Sequence, residues 1–214
     1  MFKNISLFSV AAAWLAVPAF ADTVSYDVIV NTSSISGANG YVELQLNTGS
    51  LPAATVNASV QNFTGATLNA ANPNNFSSTG AFPLPGTLNL TASSSTDYFE
   101  AATFGDSITF KVALSGLGVS LSGKAGSSSD TDFIVDFLNS TGSVYLLTSD
   151  ANGVVGFIDV SPAGTVSTIA NPNPSGGPSL VTFTPVTSMA TPEPGTIGLA
   201  GVALLLFLAS RRPS

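Results

Sequence analysis

The chain has 214 residues, a formal net charge of -7, and neither cysteine nor histidine. Without cysteine there is no disulfide framework and no thiolate metal site, and without histidine there is no Ser-His-Asp or Cys-His catalysis and no ordinary zinc site. Charged residues make up 8% of the chain and apolar ones 44%, so Ser, Thr, Asn and Gly must supply the solvated surface. We expect no cofactor.

Basic residues are scarce between the two ends of the chain. Lys111 and Lys124 are the only ones there, because Lys3, Arg211 and Arg212 lie in the terminal segments. Nucleic acid and anionic lipid are bound by neutralising phosphates with lysine and arginine. The acidic middle of the chain therefore predicts no nucleic-acid partner.

The N-terminal segment predicts a secretory signal peptide over residues 1–21. Lys3 precedes an apolar stretch, and an A-x-A cleavage sequence ends at Ala21. We expect cleavage between Ala21 and Asp22. An uncleaved membrane anchor is the alternative, but the apolar stretch is shorter than the roughly 20 residues that a spanning helix needs.

The C-terminal segment combines a proline-flanked acid, an uncharged apolar run at about residues 195–210, and two arginines. The residues at either end of the run are Pro192, Glu193, Pro194, Arg211 and Arg212. As a helix the run reaches about 24 Å, short of a hydrocarbon core of about 30 Å, so it spans a membrane only if the arginines snorkel. Cations beyond the run favour a cytoplasmic C-terminus, and the signal peptide sends the rest of the chain outward.

This end, over residues 192–214, resembles the PEP-CTERM sorting signal. In that family an exosortase, a membrane-embedded transpeptidase-like protease, recognises the tail, removes it and passes the ectodomain towards the cell surface or exopolysaccharide matrix. The resemblance implies that Pro192, Glu193 and Pro194 form the recognition motif, and that Arg211 and Arg212 form a basic retention cluster. A plain C-terminal anchor behind a proline linker is the alternative.

Residues 22–184 alternate apolar and polar side chains with a period of two, as half-buried strands do. Turn sequences such as Asn39-Gly40 and Asn152-Gly153 separate the runs. Such short strands, with no helical pattern between them, predict an all-β fold, an antiparallel two-sheet sandwich of jelly-roll type, followed by a Ser/Thr/Pro stalk at residues 185–191. The runs lie at residues 24–31, 41–47, 56–61, 87–91, 108–114, 132–137, 144–147, 154–160, 165–169 and 180–183.

The ectodomain is similar to a recurring kind of PEP-CTERM passenger domain. The likeness rests on strand pattern and small turn residues, at 26–32, 36–37, 40–41, 84–88 and 104–105, with a strand that runs on to 115–116. No activity is assigned to these passengers. The resemblance therefore implies a fold and a location, not a chemistry.

Asp130, Asp132 and Asp136 form the densest acidic group and are candidates for calcium binding. Asp132 and Asp136 share a strand face but lie about 13 Å apart along an extended strand, so a solvated strand face is the alternative. Residues 150–153 match part of a calcium loop without its full spacing, and a hairpin turn explains them.

A carboxylate pair that hydrolyses sugars is a further alternative, with Asp97 and either Glu100 or Asp106 as the candidates. These acids lie near polar turns, where charges are normally solvated, so we expect no enzyme.

A carbohydrate-binding, lectin-like module acting on exopolysaccharide is the remaining alternative. Tyr41, Tyr98 and Tyr145 are the aromatic side chains that would stack on sugar rings.

The sequence thus predicts a non-catalytic exported protein. Its precursor is held in the membrane by the C-terminal helix, an exosortase processes it, and the mature form lies at the cell surface or outside the cell. Exopolysaccharide and other envelope components are its expected further partners.

Overall fold

The computed structural model describes residues 23–49, 55–73, 84–92, 96–116, 118–119 and 130–186, without the side chains of residues 70–73. Apart from a 3-10 turn at Ser33–Ile35, the regular structure in these ranges is extended, which confirms the all-β prediction. The strands are β1 (Thr23–Asn31), β2 (Asn39–Thr48), β3 (Asn57–Pro73), β4 (Leu88–Thr91), β5 (Thr96–Ser115), β6 (Thr131–Asn139), β7 (Val154–Val160), β8 (Val166–Ala170) and β9 (Val181–Val186).

The long strand β5 organises the sheet. One edge of β5 pairs first with β2 and then with β1, and its other edge pairs with β3. From β2 the sheet continues through β6 and β7 to β8, from β1 it continues to β9, and β4 adds to β3. These pairs are all antiparallel, as predicted, but hydrogen bonds join the nine described strands into one sheet. The division into two sheets stays a prediction.

The core lies between two branches of this sheet. One branch runs from β2 through β6 and β7 to β8, and the other consists of β1 and β9 beside the second half of β5. Phe110, in the half of β5 that pairs with β1, contacts Phe133 of β6 edge to face, with 6.5 Å between the ring centroids. A Cβ atom on Gly156 of β7 would lie 2.6 Å from the side chain of Val181 in β9. Residues of strands that do not pair therefore pack against one another through their apolar faces.

Three register shifts interrupt the pairing of β3 with β5, and two of them lie beside Thr64. The register shifts on both sides of Thr64, and Asn62 and Gly65 have φ angles of 57° and 90°. An extra residue in a strand reverses the alternation of its side chains. As a result Phe63 is buried, and its ring stacks on that of Phe110 at a centroid distance of 6.1 Å.

The structure corrects two local predictions. Residues 144–147, predicted as a strand, make one isolated bridge between Leu138 and Tyr145, because this segment folds back beside β6. The predicted turn at Asn39-Gly40 is the beginning of β2. In addition, β9 extends to Val186, two residues into the segment assigned to the stalk.

Candidate functional site

Three carboxyl groups meet on the face of the sheet that points away from the core. We call Glu43, Asp97 and Asp136 the acidic cluster. Glu43 of β2 is directly opposite Asp136 of β6, and Gln45 of β2 is opposite Asp97 of β5. Because side chains two residues apart share a strand face, this register brings the three acids together on neighbouring strands.

The acidic cluster is shielded from water. Asp136 is 2% exposed and Glu43 is 9% exposed. Burial, followed by repulsion from Glu43, raises the pKa of Asp136 to about 8. Burial and the neighbouring Glu43 likewise raise the pKa of Asp97 to about 7. Lys111, the one basic residue in the described ranges, lies on the other half of β5, opposite Asp27, so no described cation offsets these charges.

Hydrogen bonds satisfy only part of the acidic cluster. Asp97 and Glu43 share a hydrogen bond between their carboxyl groups, which requires a proton on one of them. The amide of Gln45 approaches Oδ2 of Asp136 at 3.5 Å. Within the described part of the chain, the Oδ1 atoms of Asp97 and Asp136 have no partner. A buried carboxylate oxygen without a donor favours the protonated acid.

A covering loop, residues 140–153, borders the acidic cluster. At its start the Asn139 side chain accepts hydrogen bonds from three backbone N–H groups of the loop. Leu146 donates its N–H to the carbonyl of Phe137 at 2.8 Å, and the Asp150 carboxylate accepts two N–H groups at the closing turn. The predicted turn at residues 150–153 is therefore confirmed.

Tyr145, in the middle of the covering loop, lies within reach of the charges of the acidic cluster. Burial and then the charges of Glu43, Asp136 and Asp97 raise its pKa. Its ring also occupies the space where Gly153 would carry a Cβ atom, at a φ angle of 85°. Through this contact the middle of the covering loop packs against its end.

We predict that Gly153→Ala loosens the covering loop. The new methyl group meets the Tyr145 ring, and the left-handed backbone is unfavourable for alanine, at a cost of about 1–3 kcal/mol. Amide exchange in residues 140–153 should become faster than in the wild type. Gly176→Ala is the matched control, because Gly176 has a φ angle of 76° with nothing within 4 Å. Equal exchange in the two variants would contradict the role of the ring contact.

A groove lies on the same outer face, beyond Tyr41. Tyr41 stacks on Phe99, with ring centroids 4.4 Å apart and an interplanar angle of 13°. The hydroxyl of Thr103 donates to Oδ1 of Asn39 at 2.7 Å. The groove has a volume of about 440 Å³. The residues that line it include Asn39, Tyr41, Thr67, Ala101, Thr103 and Ser140. We call it the polar groove.

The proposed glycosidase pair is not assembled. Asp97 lies on the outer face of β5, whereas Glu100 is 1% exposed on the opposite, core-facing side. Asp106 is exposed between the two halves of β5. The expectation that these acids lie at solvated turns is wrong for Asp97 and Glu100, because both belong to a twenty-residue strand.

The candidate calcium ligands lie in different surroundings. Asp132 and Asp136 share a face of β6, but Asp136 is buried beside Glu43, which corrects the expectation of a solvated face. Asp132 lies opposite Asp159, and burial followed by repulsion from Asp159 and Asp130 raises its pKa to about 6. Among the residues that the structure describes, no group of three or more acidic side chains has the geometry to hold a metal ion.

The three tyrosines differ in their surroundings. Tyr98 is 1% exposed in the core, so it offers no surface for a sugar, whereas Tyr41 and Tyr145 lie on the outer face. The sequence reasoning missed Glu43 and Phe99. The alternating pattern placed Glu43 on a polar face, and Phe99 fell in no predicted strand. Only the pairing of β2, β5 and β6 shows that these residues lie close to the groove and the acidic cluster.

The sorting residues lie outside the described ranges. These are the signal peptide at 1–21 with its Ala21–Asp22 junction, the motif Pro192, Glu193 and Pro194, the apolar run at 195–210, and Arg211 and Arg212. The part of the chain that is described contains no helix with the length and hydropathy to span a membrane.

Comparison with known proteins identifies a sorting motif at the C-terminal end of the chain. Residues 190–212 match the PEP-CTERM protein-sorting motif. No curated protein and no solved structure matches the chain.

Proposed function

This chain carries a PEP-CTERM sorting signal, and we propose that it is a non-catalytic surface protein whose β-domain is the mature, displayed part. The sorting motif indicates processing by an exosortase and a final place at the cell surface. The match at residues 190–212 is the observation that carries the proposal. The signal peptide predicted at residues 1–21 supplies the export step that such processing requires.

The opposite ends of the chain support the same topology. Lys3 precedes the first apolar segment, and Arg211 and Arg212 follow the last one. Positive charge is retained on the cytoplasmic side of a membrane. A chain that enters the membrane in this way places residues 22–191 outside and leaves its two charged tips inside.

The arrangement of the acids supports a non-catalytic role. A glycosidase needs two carboxyl groups about 5–9.5 Å apart, with a sugar between them. Asp97 and Glu43 instead hydrogen-bond to each other, and Asp136 is buried. Their raised pKa values therefore follow from burial within the sheet and need no role in proton transfer to a substrate.

Intact-mass measurement of the protein recovered from the cell surface or medium tests the proposal. We expect the mature form to lack both the signal peptide and the C-terminal segment. Glu193→Gln should keep its C-terminal segment and remain in the membrane fraction, because the recognition motif has lost its acid. Replacement of both Arg211 and Arg212 by Ala should also reduce processing.

Lys111→Ala with Lys124→Ala is the matched control, since it removes the same charge from the middle of the chain. It should be processed like the wild type. A mature protein that keeps residues 192–214, or a full-length soluble protein in the cytoplasm, would overturn the proposal.

A further inference from the structure

We propose that the polar groove is a binding site for an uncharged polysaccharide chain, with Tyr41 as the residue that stacks on the sugar. This inference deepens the surface role proposed above and rests on it for the presence of polysaccharide around the mature protein.

The shape of the polar groove comes from a difference in side-chain size along one face of the sheet. On β5, the small Ala101 lies between Phe99 and Thr103 on the outer face. Ala101 is also paired with Tyr41 across the β2–β5 ladder. The methyl group leaves a depression between the ring pair and the polar residues, and the hydrogen-bonded strands below hold its floor in place.

The ring pair is held in a fixed orientation at one end of the groove. Tyr41 lies almost parallel to Phe99, and a Cβ atom on Gly142 would contact both rings at 3.5–3.6 Å. The start of the covering loop therefore rests against these rings. A tyrosine held in this way loses little conformational freedom when a ligand stacks on it.

The remaining lining suits sugar hydroxyl groups. Asn39, Thr67, Thr103 and Ser140 supply amide and hydroxyl groups, which both donate and accept hydrogen bonds. Asn39 and Thr103 are already aligned by their mutual hydrogen bond. A shallow groove with one aromatic wall and a floor of amide and hydroxyl groups fits the apolar face and the hydroxyl edge of a pyranose. An apolar peptide side chain would need a deeper pocket.

The charge of the groove selects among polysaccharides. None of its lining residues is basic, and the next outward-facing residue after Tyr41 on β2 is Glu43. The chain as a whole has a formal charge of -7. Polymers of uronic acids or sulfated sugars would meet repulsion without a compensating ion pair. The groove is therefore expected to prefer neutral polymers.

Binding of the purified full-length protein in detergent to soluble polysaccharides tests the inference. The neutral probes are a β-glucan, an α-glucan and a galactomannan, and polygalacturonate is the acidic comparison. We expect saturable binding to at least one neutral polymer, weaker binding to its short oligosaccharides, and no binding to polygalacturonate. Because purified protein is used, a failure here is separate from a failure of sorting in cells.

Tyr41→Ala should weaken binding about five- to twelvefold, since stacking on an aromatic ring contributes on the order of 1–1.5 kcal/mol. Thr103→Val, which removes a hydroxyl group and keeps the side-chain shape, tests the floor without disturbing the ring pair. Phe157→Ala is the matched control, because this partly exposed aromatic residue of β7 lies outside both the groove and the covering loop. Thermal unfolding confirms that each variant is folded.

Three results would overturn the inference. They are a folded wild type that binds none of the neutral polymers, equal weakening by Tyr41→Ala and Phe157→Ala, and a preference for polygalacturonate.

Discussion

The β-domain should become less stable as the pH rises from about 5 to about 8.5, with a decrease in Tm on the order of 10 °C. In an unfolded chain an aspartate loses its proton near pH 3.9. In the fold, burial raises the pKa of Asp97 to about 7 and that of Asp136 to about 8. The folded state therefore binds more protons across this range, and stability falls as the pH rises until both acids have ionised.

The surroundings of Asp136 fix the sign of this effect. Glu43 from β2, Asp97 from β5 and Asp150 from the covering loop all repel its negative charge, whereas the backbone N–H of Val155 in β7 and the long contact from the Gln45 amide favour it. Each ionisation thus adds a charge to a buried acidic group for which no described lysine or arginine is near.

Asp136→Asn should flatten the dependence of Tm on pH. The amide has nearly the same shape as the acid and stays neutral, so the variant should be more stable than the wild type at pH 8.5 and similar to it at pH 5. Asp106→Asn is the control, because Asp106 is exposed and should leave the slope unchanged. Thermal unfolding followed by circular dichroism measures both. A wild-type Tm that is constant or rises over this range would contradict the prediction.

Gly40→Ala should destabilise the domain by about 3 kcal/mol and lower Tm by roughly 6–12 °C. Gly40 lies in β2, and a Cβ atom there would meet the backbone carbonyl of Leu138 and come within 2.6 Å of the Phe104 ring. Phe104 in turn contacts Phe137 edge to face at 5.8 Å. The clash involves backbone on one side and a packed aromatic pair on the other, so neither neighbour can move easily.

Gly37→Ala is the control for this prediction. Gly37 has a φ angle of 78° and no atom within 4 Å of the position where a Cβ would lie, so alanine there has only the backbone cost of about 1 kcal/mol. Chemical denaturation of both variants gives the comparison. If Gly40→Ala were no more destabilising than Gly37→Ala, the packing at Gly40 would not be as described.

Alternation of apolar and polar residues was sufficient to predict most strands. Val28 and Val30 in β1, and Ile108 and Val112 in β5, are all buried, as a period of two requires. The pattern failed where acids interrupt it. The first half of β5 was not predicted, because Asp97 and Glu100 interrupt the apolar pattern there. Their burial depends on strands and a loop that are distant in the sequence.

Local turn propensity predicted the wrong structure at Asn39-Gly40. The pair is typical of a two-residue hairpin turn, where glycine supplies a positive φ angle. Here Gly40 lies within a strand, and the absence of a side chain makes room for Phe104. Glycine is needed for its conformational freedom at one position and for close packing at another. Only the packing against neighbouring strands shows which of the two applies.

The candidate site could be predicted only in part. Tyr41 and Asp136 were singled out from the sequence, but their neighbours Phe99 and Glu43 were not. The acidic cluster exists because β2, β5 and β6 pair in a register that places Glu43 opposite Asp136. The register of strand pairing is set by the apolar face as a whole, so it cannot be predicted from the polar residues alone.

Among the described strands, the first pairs with the last, and this pairing constrains the order in which the chain can fold. β1 is flanked by β5 on one side and β9 on the other, and the backbone of Asn31 donates a hydrogen bond to Leu180 at 2.8 Å. A chain that emerges from a translocation pore N-terminus first must deliver Val186 before that edge can close. Pairing between residues so far apart in the sequence slows folding, because a long loop must close before the contact can form.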